Sequence, residues 1–399
     1  MRRTLLALVA ILPLEAATSQ DRGVVRDSAG IQVVTHRESA VAPVYALQPT
    51  RVVIGTEAGA ELTRVVGALR MPDERIVVLD GGRRQLLRFL PSGALESAIG
   101  REGSGPGEFT GPRWLARYGR DSIAAYDFRQ VRFSIYGDSG FVRQGLLLRN
   151  EHMNMMEMTL AGILPNGTPV MASGSSIELA AQGPPRIERL VVPLVTYRSD
   201  GKPGALLGRF PGRELQVSSI EEGPRAGGFR NGVRLFGLDA AFAVAGNHLI
   251  VTDTRTFGFD VLDAAGKIVR RVRRESDAQN VQQAHKAAYI AERVAAVRED
   301  RRAQMRDDLQ KEPHALVFPA ISSQIVIDAE NRIWLGSYKR PGDVEQSWWC
   351  FTVEGDLVGR VTVPTALTVT DAGPNYVLGI RQDADGVQTV RLYDLVRRP

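Results

Sequence analysis

An all-β architecture of repeated sheets is what this 399-residue sequence predicts, on three observations. A pattern returns about every 47 residues: Arg75-Ile-Val-Val-Leu-Asp80 comes back as Ser122-Ile-Ala-Ala-Tyr-Asp127, and the turn Leu90-Pro-Ser-Gly93 as Gly137-Asp-Ser-Gly140. Each unit carries four short apolar runs separated by turn residues. The last unit lacks its fourth run, and a spare run of the same type precedes the first unit. A period of roughly 40–50 residues with several strands per unit marks a β-propeller. The strand count predicts six blades with a helical insertion between blades 4 and 5.

In the clearest unit, Val65 to Leu69, Ile76 to Leu79, Leu86 to Phe89 and Ala94 to Ile99 are the four strands. Met71-Pro-Asp, Asp80-Gly-Gly and Pro91-Ser-Gly are the turns, each rich in residues suited to tight backbone reversal. The second unit runs from about Trp114 to Leu148. The third, looser, uses Met158 to Leu164, Thr168 to Ala172, Leu190 to Tyr197 and Ala205 to Phe210, with a loop around Gln182-Gly-Pro-Pro185. The fourth spans Ala241 to Val272, the fifth Ser323 to Val363, and the sixth offers only Leu367 to Thr370, Tyr376 to Ile380 and Val387 to Tyr393. Arg51-Val-Val-Ile54 copies the end of a fourth strand and is expected beside Val387 to Tyr393, which closes the ring and removes two sheet edges. The domain layout is therefore a signal peptide over 1–19, an N-terminal extension over 20–45 with a small hairpin in Gly23 to Thr35, and a propeller over 46–399.

Residues 277–311 contain no Gly or Pro, and Val281, Ala284, Ala288, Ala291 and Ala295 fall near helical spacing. The expectation is a solvated helix that packs its alanine stripe on the propeller.

Formal charge is +5, yet acids nearly match bases and no run of five like charges occurs, so nucleic acid is not an expected partner. Met1-Arg2-Arg3 followed by the apolar run Leu5 to Leu14 has the charged and apolar regions of a secretory signal, with cleavage expected after Ser19. That run is too short to anchor the chain in a bilayer, so the expected setting is periplasmic or extracellular, without a stable membrane anchor. The single Cys350 cannot form an intrachain disulfide, so stability rests on the core.

Gly100-Arg-Glu-Gly-Ser-Gly-Pro-Gly-Glu-Phe109 lacks the Gly-Lys-Ser/Thr that would make it a phosphate cradle. Its glycines suit a tight crossing between blades with Phe109 as a plug, and Glu222 to Phe229 is a faded echo. Glu151-His152-Met153-Asn-Met155-Met156-Glu-Met158 reads as a strand whose methionines fill gaps rather than as a copper site. Gly174-Ser-Ser lacks a nucleophile-elbow context, and Asp383-Ala-Asp-Gly386 is too short for a calcium loop. The five histidines, His36, His152, His248, His285 and His314, are not at metal-ligand spacing.

With "RIVVLDGGRRQLLRF" before it, "GREGSGPGEF" resembles the NHL-repeat type of six-bladed propeller. Asp27-Ser-Ala-Gly-Ile31, Pro319-Ala-Ile321 to Trp334, and Val390-Arg-Leu-Tyr-Asp-Leu395 are similar to a group of exported bacterial six-bladed propellers. That resemblance implies architecture and transfers no functional residue. Sugar lactonases share the architecture and hold a channel metal through Glu, Asn and Asp, a set that this sequence does not present. No catalytic residue, cofactor or metal ligand is therefore assigned. The expected function is non-enzymatic binding of a protein, peptide or glycan through the loop-bearing face; the alternative is a metal-dependent hydrolase or lyase acting in the central channel.

Overall fold

The computed structural model describes residues 21–148, 158–173, 185–219 and 229–398. The expected signal segment 1–19, the methionine-rich stretch from Glu151 to Met156, Gly174-Ser-Ser, the loop around Gln182 to Pro184 and the echo from Glu222 to Arg225 lie outside the described residues. Met158 is inside them and is buried against blade 2.

Six blades of antiparallel strands follow one another, two of them joined in one sheet. Blade 1 is Val65–Arg70, Ile76–Asp80, Gln85–Phe89 and Leu95–Ile99, and blade 2 is Pro112–Tyr118, Ser122–Asp127, Arg132–Gly137 and Gly140–Leu146. Blade 3 is Met158–Ile163, Pro169–Ser173, Arg186–Tyr197 and Pro203–Ser219, with a fifth strand Phe229–Val233. Blade 4 is Ala241–Ala245, His248–Thr252, Gly258–Leu262 and Ile268–Arg274. Blade 5 is Ile321–Ile327, Ile333–Ser337, Glu345–Phe351 and Leu357–Pro364. Blade 6 is Leu367–Gly373, Tyr376–Gln382 and Gln388–Arg397. The first strand of each blade touches the first strand of the next, and that of blade 6 returns to that of blade 1. The core lies between blades: Phe109, for example, packs with Leu79 and Leu86 of blade 1 and with Ile123 and Tyr136 of blade 2.

Val44–Ile54 supplies the missing strand. Ile54 pairs with Val390 and Val52 with Leu392, antiparallel. The strand begins earlier than its sequence pattern suggests, because Val44 and Tyr45 pair in parallel with Arg360 and Val361 of blade 5. One strand thus joins blades 5 and 6 into an eight-stranded sheet. The N-terminal hairpin, Val24–Ser28 with Ile31–His36, lays its second strand in parallel along Ile268–Arg274 and covers the outer edge of blade 4.

The aspartate that ends the second strand of blades 1 and 2 is a buried cap. Asp80 accepts the backbone N–H of Thr63 (2.8 Å), Arg64 (3.2 Å), Gly82 (2.9 Å) and Arg83 (3.0 Å), and the Thr63 hydroxyl (2.7 Å). Asp127 repeats this with Thr110, Gly111, Arg129 and Gln130. Burial pushes the Asp80 carboxyl up, but the donors of Thr63, Arg83 and Arg64 outweigh it and hold the group below the usual carboxylate range. A lowered native value means stabilisation that is present above the unfolded value of about 3.9 and lost as pH falls through the native one. Asp80→Ala should lower unfolding free energy by about 2–4 kcal/mol at pH 7, because the substitution orphans several donors. Urea titration should show this deficit at pH 7 and its shrinkage below about pH 4; equal stability of the two proteins at pH 7 would contradict the cap.

The glycine-rich run is a crossing between blades 1 and 2. Glu102 bridges Phe109, and Arg132 donates to the carbonyls of Ser104, Gly105 and Glu108. Gly100 has φ +79°, and a Cβ there would lie 2.8 Å from the Gly107 carbonyl oxygen.

Between blades 4 and 5 stand α1 (Gln283–Ala295) and α2 (Arg302–Lys311), joined through a 3-10 turn at Glu299–Arg301. The alanine stripe is not the packing face: Ala284, Ala291 and Ala295 are exposed. Ile290 and Val294 of α1 bury against Leu309 of α2 instead, since larger side chains remove more apolar area from water. The chain folds back on itself as a helical hairpin.

Candidate functional site

In each blade the chain enters the first strand on the same face that carries the turns between second and third strands. That face is built up over blades 3 to 5. The last two strands of blade 3 are far longer than Leu190 to Tyr197 and Ala205 to Phe210. Prolines and glycines at 193, 208, 211 and 212 look like strand ends, yet register shifts near Arg189, Leu194 and Val195 absorb them. The extensions, Arg186 to Arg189 against Glu214 to Val217, pair with Phe229–Val233 to form a three-stranded flap.

The flap is tied down by buried ions. Glu214 accepts Arg234 Nη1 at 3.0 Å and the Leu238 N–H at 3.2 Å. Arg189 donates to the Gly212 carbonyl from Nε at 2.9 Å and pairs with Asp253 at 3.5 Å. Burial lowers the Arg189 pKa, opposed by Asp253 and Glu214. The helical hairpin joins the flap through an aromatic cluster: Phe236 meets Tyr289 (5.5 Å) and Phe318 (5.1 Å), and Phe318 stacks on Tyr338 (5.3 Å). Burial pushes the Tyr338 phenol up to about 12 and raises that of Tyr289, so both are neutral hydrogen-bond donors at ordinary pH.

Two cavities open between these structures. One of about 740 Å³ lies against the helices and is bordered by Arg234, Phe236, Tyr289, Glu292, Tyr338 and Arg340. The other, about 550 Å³, lies over the inner strands and is bordered by Arg113, Trp114, Leu160, Val192, Phe242 and Ile325. Asp239 and Ser323 border both, so the two adjoin as the arms of a bent cleft. Asp239 is ion-paired with Arg213 at 3.1 Å, and Arg340 with Asp343 at 3.0 Å. A third cavity, about 840 Å³, borders Arg274, which is stacked 4.0 Å from the Trp349 ring.

Among the described residues no group of three or more His, Cys, Asp or Glu side chains converges as metal ligands do. His36 is buried and bonded to the Gly355 carbonyl at 2.7 Å, and His314 to the Ala315 carbonyl at 2.8 Å. His285 sits edge-on to Phe318, and His248 is half-buried at a strand start. His152 lies outside the described residues. Asp383 closes its own turn by accepting the N–H groups of Asp385 and Val387. No described helix is long and apolar enough to cross a membrane.

Sequence reasoning missed Arg113, Asp239 and Ser323. One signal existed: Pro112 and Val65 pair with equivalent aspartates, which puts Arg113 where the first repeat has Val66. A charge on an inner strand, where the sister unit keeps valine, marks a position that faces something other than core.

A family model described as a six-bladed β-propeller matches residues 58–144. No curated protein sequence matches the chain significantly. Among solved structures, a Bacteroides fragilis protein predicted to be exported is similar at 12% identity, with TM-score 0.50, over 92% of this chain and all of that one. Virginiamycin B lyase of Staphylococcus aureus gives 8% identity and TM-score 0.39 over 88% of this chain and 99% of its own. A gluconolactonase of Xanthomonas campestris gives 12% and 0.37 over 89% and 99%. At these identities the likeness concerns fold alone.

Proposed function

We propose that this protein is a non-enzymatic binding propeller that holds a protein segment, peptide or glycan in the cleft on its loop-bearing face. The observation that carries this reading is the pair of cavities that adjoin at Asp239 and Ser323, beside a flap and a helical hairpin that the ring does not itself require. The cleft walls mix aromatic and aliphatic side chains with polar ones, and Arg213, Arg234 and Arg340 are each held in an ion pair. Such a surface offers area and orientation to a ligand.

Ser323 is exposed on the shared floor, so Ser323→Trp fills the bend without disturbing the core. Peptide and glycan arrays probed with the wild-type protein should yield ligands whose affinity falls about tenfold or more in S323W, with unfolding unchanged. Ligands bound equally by both proteins, or an array with no ligand at all, would refute the reading.

A further inference from the structure

The end of the cleft over the inner strands carries one cation that the protein does not neutralise. Arg113 has no carboxylate within ion-pair distance among the described residues; its guanidinium lies 4.7 Å from the centre of the Phe128 ring. The other arginines of the cleft and its flap are committed: Arg213 to Asp239, Arg189 to Asp253, Arg234 to Glu214 and Arg340 to Asp343. Stacking on Phe128 steadies the guanidinium while leaving its in-plane N–H groups free, the arrangement that a planar carboxylate engages in bidentate fashion.

The cavity that Arg113 borders has an apolar patch of Trp114, Leu160, Leu190, Val192 and Phe242, with Thr159, Arg213 and Gln324 among its polar lining. Asp239 and Arg213 border the same space as a mutually neutralised pair. One unpaired cation beside an apolar patch suits a monoanion with an apolar body.

We infer that this end of the cleft takes an apolar carboxylate, with Arg113 as the partner of the carboxylate group; the assignment rests on the binding reading above and adds the ligand class. A free apolar acid and the C-terminus of an apolar peptide present the same chemistry. Calorimetric titration of the full-length protein distinguishes them with two pairs of probes: 4-phenylbutyrate against its amide, and the tetrapeptide Ala-Leu-Leu-Phe as free acid against its C-terminal amide. At least one acid should bind about tenfold or more tighter than its amide, and the pair that does so identifies the source. Arg113→Gln should abolish the preference, and Arg113→Lys should restore part of it. Arg113 is exposed, so neither variant threatens folding. Equal binding of acid and amide, a preference that survives R113Q, or no binding of either acid would overturn the assignment. Acid and amide binding that is equal, yet lost in S323W, would sink the carboxylate partner and leave the cleft reading in place.

Discussion

Removal of residues through Ile54 should abolish cooperative unfolding, whereas removal through Gln20 should leave it intact. Val52 and Ile54 are buried in a core shared with Leu87 and Phe89 of blade 1 and Leu378, Val390 and Leu392 of blade 6. Their strand also touches blade 5 through Val44 and Tyr45. The larger truncation therefore bares the outer strand of blade 6, releases blade 5, and opens the core under blade 1. Two exposed sheet edges also invite association between molecules. The graded version is Ile54→Ala, which should cost about 2–5 kcal/mol through lost burial and a residual cavity. Urea unfolding followed by both fluorescence and circular dichroism checks both variants. A single sharp transition in the protein lacking residues through Ile54 would show that the ring does not depend on this closure.

Asp371→Ala should be nearly as damaging. On the face opposite the cleft, Asp371 of blade 6 is fully buried and accepts Arg117 Nη1 of blade 2 at 2.9 Å. It also accepts the Tyr376 hydroxyl at 2.9 Å and the Arg70 backbone N–H of blade 1 at 2.8 Å. Arg117 Nη2 reaches the Arg70 carbonyl at 2.7 Å, so one ion pair fastens three blades where the chain ends meet. Burial opposes charge on Arg117, but Asp371 and Tyr376 more than offset it and raise its pKa. Burial, then Asp371, keeps the Tyr376 phenol protonated. Deleting one partner of such a pair leaves an uncompensated buried cation, at a cost of about 3–5 kcal/mol. The double variant Asp371→Leu with Arg117→Met removes both charges and should recover much of the loss. Urea unfolding of the three proteins decides it: a single variant that loses under about 1 kcal/mol would show that the pair is dispensable.

The repeat, the turns and the spare strand before the first unit were legible because each depends on residues close in sequence. Strand period, turn residues such as Pro91-Ser-Gly93, and the aspartates at 80 and 127 are local signals, and they determined the ring and its closure. A helical segment over 277–311 was legible in the same way, as a run without Gly or Pro. What lay beyond reach depends on which elements meet, near or far along the chain, and no periodic pattern marks it. The fold-back of α2 on α1 needed Leu309 to meet Ile290, and the flap needed Phe229–Val233 to pair with residues after Glu214. The parallel docking of Ile31–His36 on blade 4 and the pair between Arg117 and Asp371 join residues more than 200 positions apart. The cleft is of this second kind, because Arg113, Asp239 and Ser323 come from three blades and share a cavity only after the ring has closed. The sequence by itself determined the scaffold, through periodic local preference. Only the tertiary structure decided where a ligand could sit, because a cavity is the space left between elements and no local pattern records it.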